Sequence, residues 1–363
     1  KKHSQRRMST SQGEDGSSAG AATAARQQLL AAVEQHCSNS PCPAGPLSRQ
    51  FRQLIPSDSV MQSGQFRVLH WNILAQALTG AEGGSHFDRV EPGVTSWERR
   101  RWYLLRELLR FQPDILCLNE VDIYDYLLEN LAPLGYRGCF RAKPRSPCLS
   151  FPGNFGPDGT AILYNTHRFE CLQSETGLLI EPNEDGTEFL DAPSGAGSQV
   201  FVLLRLRLLN PPATDDSDGG GELWVAATHL KAKVTFSNLR LLQTKALITA
   251  LKERVPANSP LLLCGDFNGE SFEPFYNVIV QSGLDIASAY KQPEEPPFTT
   301  FKYVGKSAEP QARGIDYIWY RRLRPLALLE IPPRDSVESN GLPCAAFPSD
   351  HFCLSVDFCF CKN

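Results

Sequence analysis

Six short apolar runs in this chain each begin or end in an acid, an amide or an imidazole. Asn72 lies within His70-Trp71-Asn72-Ile73-Leu74, and Glu120 and Asp122 close the run Ile115-Leu116-Cys117-Leu118-Asn119. His229 ends Trp224-Val225-Ala226-Ala227-Thr228, while Asp266 and Asn268 end Leu261-Leu262-Leu263-Cys264-Gly265. Asp316 opens Tyr317-Ile318-Trp319, and Asp350-His351 opens the last run. Apolar runs this short read as buried strands. Burying an unpaired carboxylate costs several kcal/mol, so strands that each deliver one to an end need a shared polar site. Each residue alone also fits a turn or a strand end. The set points to a site.

The rest of the pattern sets the fold class. Strands are expected over 66–74, 114–120, 136–141, 160–165, 200–208, 223–230, 261–264, 315–320 and 352–360. The last alternates, with Phe352, Leu354, Val356, Phe358 and Phe360 on one face. Helices are expected over 97–111, capped by Ser96 and stopped by Pro113, then over 123–131, 236–254 and 274–281. Strands outnumber helices and several follow one another directly. This disfavours a doubly wound parallel sheet and predicts an α/β, four-layer sandwich of two packed mixed β-sheets with helices outside. Segments 181–198 and 211–221, rich in Gly, Pro, Asp and Ser, read as surface insertions. No internal repeat is visible.

Residues 1–64 differ in character, being rich in Ser, Gln, Ala, Gly and Pro with one candidate helix over 21–37. They read as a disordered or targeting N-terminal tail, and 65–363 as the catalytic domain. Arg6, Arg7 and Arg26 with few acids suit a mitochondrial presequence, so the expected address is cytoplasmic, mitochondrial or both. The net charge is −4, yet residues 1–64 hold seven Lys/Arg against four acids, which leaves the remainder at −7. An acidic body argues against broad capture of a polyanion such as RNA without a partner protein. No apolar stretch approaches the ~20 residues of a membrane span. The eleven cysteines include no Cys-x-x-Cys pair, so neither a metal cage nor a disulfide framework is expected and the thiols read as free. Nothing indicates an oligomer.

Carboxylates and amide oxygens without clustered His or Cys select a hard cation, Mg²⁺ or Mn²⁺, over Zn²⁺. A hard cation with two histidines nearby suits phosphate-ester hydrolysis.

The ordered set Trp71-Asn72-Ile73-Leu74-Ala75-Gln76, Cys117-Leu118-Asn119-Glu120-Val121-Asp122, Gly265-Asp266-Phe267-Asn268, Ile315-Asp316-Tyr317-Ile318-Trp319 and Ser349-Asp350-His351 resembles the endonuclease/exonuclease/phosphatase superfamily, in its deadenylase-like branch. Supporting stretches run over 143–149, 156–159 and 228–233, so the resemblance spans about 66–360. Lys233, Arg145 and Asn119 stand where it leads one to expect Arg, Trp and Gln. The resemblance implies a magnesium-dependent phosphatase that removes the 2′-phosphate of NADP⁺ and NADPH, with a link to circadian control; the alternative is a poly(A)-specific 3′ exoribonuclease. Carried over residue by residue, it implies Glu120 as the principal Mg²⁺ ligand, with Asn72 beside it. Asp266 and Asn268 would hold the attacking water and a phosphate oxygen, and His351 would contact the phosphate or act as base, with Asp316 fixing its tautomer. His229 would favour departure of the 2′-oxygen. Lys143, Asn154, Lys231 and Lys233 are the expected substrate grips.

Overall fold

Residues 15–40, 43–55, 64–80, 87, 89–91, 93–179, 199–211, 221–303 and 307–361 are described by the structure, a computed structural model. The first half runs α1 (Asp15–Ser38), β1 (Phe51–Gln53), β2 (Gln65–Asn72), α2 (Trp97–Arg110), β3 (Ile115–Asn119), α3 (Tyr124–Leu131), β4 (Tyr136–Ala142) and β5 (Gly159–Asn165). It continues with β6 (Phe169–Leu179), β7 (Gln199–Leu208), β8 (Glu222–His229), α4 (Ser237–Arg254), β9 (Leu261–Asp266) and α5 (Pro274–Val280). The remaining strands are β10 (Ala287–Ser288), β11 (Thr300–Lys302), β12 (Gln311–Arg313), β13 (Asp316–Arg321), β14 (Leu323–Leu329) and β15 (Leu354–Phe360).

Seven strands form one sheet in the order β1-β14-β15-β2-β3-β5-β4, and six form a second in the order β10-β13-β9-β8-β7-β6. Alternation along the strands sorts the core into layers. Val68, Ile115 and Cys117 of the first sheet meet Val202, Leu262 and Cys264 of the second between the sheets. Leu69, Trp71, Leu116 and Leu118 face outward onto Leu104, Leu108 and Leu127 of α2 and α3. On the far side, Leu261, Leu263 and Trp319 pack under Leu247 and Leu251 of α4. Each such buried aliphatic side chain stabilises by roughly 1.5–3 kcal/mol over exposure. The expected four-layer α/β sandwich of mixed sheets is what forms.

Each sheet contains one parallel pair, β2 with β3 and β8 with β9. Parallel neighbours end together, so Asn72 pairs with Asn119 and His229 with Asp266 at the same edge. Antiparallel β13 begins where β9 ends, with Asp316 opposite Asp266. The sandwich thus gathers strand ends from both sheets at one rim.

The N-terminal expectation is corrected. Residues 15–40 and 43–55 do not form a disordered tail. Helix α1 buries Val33 and Cys37 against α2, and β1 extends the first sheet through β14. Arg49 is buried and donates from Nη2 to Cys353 O at 2.8 Å and from Nε to Glu330 O at 3.0 Å. The apolar stripe of α1 is short, but arginines complete its seat: Arg26 Nη2 donates to Leu109 O at 2.7 Å. Residues 1–14 and the insertions over 181–198 and 212–220 lie outside the described residues.

Smaller differences have local causes. Ser96 starts α2, yet its Oγ donates to Gly93 O at 2.9 Å rather than capping a helix N–H. Phe352 lies before β15 and packs with Phe347 in the outer layer, not with Leu354. Six strands are additional to the expected set, the longer β6 and β14 and the two- or three-residue β1, β10, β11 and β12. The ten described cysteines are unpaired thiols.

Candidate active site

Glu120 and Asn268 follow the two parallel strands β3 and β9, and both hold left-handed backbone, with φ of 53° and 51°. For a residue with a Cβ that conformation costs roughly 1–2 kcal/mol, which the surrounding structure has to hold in place. At Glu120 the hold comes from Val121 and Gly159, which exchange both backbone hydrogen bonds at 3.0 Å. A Cβ on Gly159 would stand 2.2 Å from Arg141 O, so this close approach of β5 requires glycine.

The carboxylates converge on one amide. Asn72 Nδ2 donates to Glu120 Oε1 and to Asp266 Oδ2, both at 3.0 Å, and Ala75 N donates to Glu120 Oε2 at 3.2 Å. Asp266 Oδ1 accepts from Asn268 N at 2.8 Å. Asn119, where Gln was expected, crosses between the sheets: its Oδ1 accepts from Asp266 N at 2.9 Å. Burial pushes the Glu120 and Asp266 carboxyls up, reinforced by Asp350 for Glu120 and by Asp316 for Asp266. Asp350 is buried and salt-bridged to Lys302, yet its Oδ1 has no partner.

Surplus buried negative charge and an orphaned carboxylate oxygen fit a divalent cation, as does a donor set of oxygens. Asp266, Asp316 and His351 also bring ligand atoms within 4.8 Å of one another. Asp316, however, is saturated. Its Oδ1 lies 3.1 Å from His70 Nε2, and its Oδ2 meets His351 Nδ1 at 2.8 Å and Thr299 Oγ1 at 2.6 Å. Glu120 and Asp266 form the better cradle, and Asn72, expected as a ligand, instead braces it: its Nδ2 donates to both carboxylates while its Oδ1 accepts from Leu74 N at 3.1 Å.

Two histidines flank the carboxylates in opposite states. Burial works against a charged His351, but Asp316, Asp350 and Asp266 outweigh it and raise its pKa to about 9. Its Nε2 lies 3.8 Å from Asp266 Oδ2. Asp316 is held far below the usual carboxylate range, because His351 and His70 outweigh its burial. His229 lies opposite, driven well below its ordinary pKa by burial, by Lys143 and by His351. Its Nε2 stands 2.9 Å from Asn268 Nδ2 and 3.5 Å from Asp266 Oδ2.

Lys143 is buried and donates to Asp158 Oδ2 at 2.7 Å. Burial opposes its charge, but Asp158 and Glu120 raise its pKa overall. Lys231 is lowered by burial and then by the nearby charges of Lys143 and Lys233. Asn154 is not joined to this cluster by a hydrogen bond. Its amide closes its own loop, donating to Phe151 O at 2.7 Å and accepting from Gly156 N at 3.0 Å. The sequence reading gave no role to Asp158, Lys302, Thr299 or Arg100. Asp158 had a signal, an acid between Pro157 and Gly159 at the start of a strand. Buried Arg100, spaced like a solvated helix charge, donates to Ile73 O, Leu74 O and Pro348 O and ties the loop after β2 in place.

Comparison with known proteins agrees with this geometry. Residues 69–351 match the model of the Endonuclease/Exonuclease/phosphatase family. The chain is 37% identical over 323 residues to Nocturnin of Xenopus laevis, covering 86% of this chain and 77% of that protein. The solved structure of the human Nocturnin catalytic domain with bound sulfate anion superposes with a TM-score of 0.66 at 32% identity, covering 89% of this chain and 99% of that one. A more distant relative is the CCR4-Not complex 3′-5′-exoribonuclease subunit Ccr4 of Saccharomyces cerevisiae, 28% identical over 82% of this chain and 39% of that protein.

Proposed function

The chain belongs to the endonuclease/exonuclease/phosphatase family, as a nocturnin-like hydrolase of its deadenylase branch, and from that premise we propose that it is a magnesium-dependent phosphatase removing the 2′-phosphate of NADP⁺ and NADPH. The observation that carries this reading is the buried ammonium of Lys143, 3.2 Å from His229 whose other nitrogen lies 3.5 Å from Asp266, with the charges of Lys231 and Lys233 nearby. A terminal phosphate monoester carries about −1.5 to −2 near neutral pH, as other phosphoryl groups do. A compact group of ammonium charges answers that concentration of charge. A poly(A) chain spreads one charge per nucleotide and needs an extended basic and aromatic track.

A cation held by Glu120, with Asp266 beside it and Asn72 bracing both, supplies neutralisation of phosphoryl oxygens. The protein's own groups divide the remaining work. His351, kept protonated by Asp316, donates to a phosphoryl oxygen rather than taking a proton at neutral pH. Asp266, an acceptor whose pKa is raised, is the base for the attacking water, and Asn268 orients it. Neutral His229 faces the same carboxylate and supplies a hydrogen bond on the leaving side. Water gives one proton to Asp266 and its oxygen to phosphorus, and the P–O2′ bond breaks. The 2′-oxygen takes up a proton from solvent with His229 bonding to it, Asp266 returns its proton to solvent, and inorganic phosphate and the dinucleotide diol leave.

The second reading, a poly(A) exoribonuclease, draws support from the Ccr4 relationship. Phosphate release by the purified protein from NADP⁺ and NADPH, run beside shortening of poly(A), separates the two. Robust release with unshortened poly(A) is expected; trimming of poly(A) with NADP(H) untouched overturns the proposal. A mitochondrial or cytoplasmic address is proposed from Arg6 and Arg7, which precede the packed helix α1 that holds Arg26, tested by locating the tagged chain with and without Arg6→Glu and Arg7→Glu.

A further inference from the structure

We propose that buried Arg240 and Glu273 form a positioning pair for the reaction: they set the backbone from which Lys231 and Lys233 reach the substrate phosphate and, through Arg313, the turn that carries Asn268. The inference rests on the reading that these lysines grip a phosphate and goes beyond it to what places them.

Strands β8 and β9 end side by side at the rim. The turn after each contains one residue with a Cβ in left-handed backbone, Lys233 with φ of 77° and Asn268 with φ of 51°. Such a conformation persists only where neighbouring groups hold it. At both turns an arginine takes the carbonyl of that residue. Arg240 Nη1 donates to Lys233 O at 2.7 Å and to Lys231 O at 3.0 Å, and Arg313 Nη2 donates to Asn268 O at 3.3 Å. The Lys231 amide is tied as well, donating to Gln243 Oε1 at 2.9 Å one turn along α4 from Arg240.

Both guanidinium groups face one carboxylate. Arg240 donates from Nε and Nη2 to Glu273 Oε2 at 3.1 and 2.6 Å. Arg313 Nη2 stands 3.6 Å from Glu273 Oε1, while its Nε donates to Glu270 Oε2 at 3.2 Å. Arg240 has no exposed surface and Glu273 is 7% exposed. A buried ion pair is a weak source of net stability, so its retention points to geometry. Only a planar fork serves two carbonyls and a carboxylate at once. Lysine, in contrast, ends in a point charge on a flexible four-carbon stem. Where the ammonium groups of Lys231 and Lys233 come to rest therefore depends on the backbone they hang from. Lys231 is half-buried, with Nζ 5.2 Å from the centre of the Phe236 ring, and Lys233 is exposed. Neither Arg240 nor Glu273 needs to touch the phosphate to decide how it is met.

The test pairs steady-state kinetics with a readout that needs no turnover. Arg240→Met leaves Glu273 with Arg313 as a partner, so no buried carboxylate is stranded. Arg240→Lys keeps the charge and loses the fork, and it carries both readouts if Arg240→Met does not fold. On NADP⁺ with magnesium, Arg240→Met should raise KM roughly tenfold and change kcat less than KM, with Arg240→Lys between it and the unaltered protein. Glu273→Gln should lower kcat as well, because it loosens the Asn268 turn too. Lysines carrying ¹³C-methyl labels give the titration of Lys231 by NMR. Its pKa, held down by burial and by Lys143 and Lys233, should rise toward the ordinary value when the fork is lost. A pair that merely stabilises the fold would lower the thermal midpoint and leave Lys231 and KM in place. An unmoved Lys231 titration, or a KM unchanged in the folded Arg240 variants, overturns the positioning role. Failure of the phosphatase reading would appear separately, as no phosphate release from NADP⁺ by the unaltered protein with Lys231 still released by loss of the fork.

Discussion

The Nδ1 atom of His229 lies 3.2 Å from the ammonium nitrogen of Lys143. An ammonium can only donate, so Nδ1 accepts from it. The Asn268 amide nitrogen beside Nε2 then donates to Leu230 O at 3.0 Å rather than to the ring, and the single ring proton on Nε2 is directed at Asp266 Oδ2, 3.5 Å away. Asp158, bonded to Lys143 at 2.7 Å, keeps that ammonium charged. The pair fixes both the tautomer and the neutrality of a histidine that faces the substrate side. Nitrogen NMR of His229 should report a neutral Nε2–H ring from pH 5 to 8. Lys143→Met should raise its pKa and release the tautomer, while lowering kcat/KM by roughly 10²–10³-fold, as for loss of one preorganised electrostatic group. An imidazolium signal for His229 at pH 6 in the unaltered protein would contradict the assignment.

His351 gives the opposite pH behaviour. Asp316 and its acidic neighbours raise its pKa to about 9 against the cost of burial, so the folded value lies above the ordinary one of about 6.5. The stabilisation is therefore complete below about pH 6.5 and is lost as pH rises through about 9. Urea unfolding from pH 6 to 9.5 should show this loss in the metal-free protein. Asp316→Asn should flatten the slope and leave His351 neutral at pH 7, and a slope unchanged by that substitution would refute the pairing.

Glu120→Gln keeps the size of the side chain and removes its charge from the Asn72–Asp266 cradle. Turnover should fall by roughly 10²–10³-fold or more with the unfolding midpoint unchanged or raised, since a desolvated carboxylate has been neutralised. Chelation by EDTA should silence the unaltered enzyme, and Mg²⁺ should restore it without Zn²⁺. Full activity of the variant at saturating Mg²⁺ would displace Glu120 from its role.

The N-terminal segment should behave as part of the domain. Arg49→Met leaves the carbonyls of Cys353 and Glu330 without their donor and should cost roughly 2–4 kcal/mol. Val33→Ala should cost about 1–3 kcal/mol through a cavity under α1. Deleting residues 1–50 should then lower the thermal midpoint sharply; an unshifted midpoint would return α1 to the status of an appendage.

Lys231→Ala should weaken hydrolysis of the 2′-phosphate strongly, and Lys233→Ala more mildly. Lys231 is the half-buried member beside Lys143, and Lys233 is exposed. Both losses should appear in KM before kcat and shrink as ionic strength rises. Equal, salt-independent effects would place these lysines outside the substrate path.

Most of the sandwich was legible because its inner strands are continuous apolar runs with polar ends. Strand β6 was not, since its burial is partial along most of its length and Phe169-Glu170-Cys171-Leu172-Gln173 carries no clean period. In β14, Pro325 disguises a strand that accommodates it with a register shift between Pro325 and Ala327. The acids and histidines of the site announced themselves as strand ends. Their partners did not: Thr299 and Lys302 come from the β11 region, and nothing in local sequence says that they reach Asp316 and Asp350. A helix was expected over 21–37, but its docking was not, because its apolar face is short and Arg26 bonding to Leu109 O does work that apolar side chains usually do.

The Asn119 amide bond to the backbone of Asp266, together with the Asn72 bridge from Glu120 to Asp266, spans the seam between the two sheets. Neither sheet owns a complete reaction centre. Activity is in that sense a gauge of how well two slabs are seated on each other, read out at their rim. Substituting Val202 or Ile162, deep in the shared interior and bearing no polar atom, should detune turnover at temperatures where circular dichroism still records every strand. Drift in sequence at such buried aliphatic positions is then a route to altered rate that leaves the whole catalytic inventory untouched.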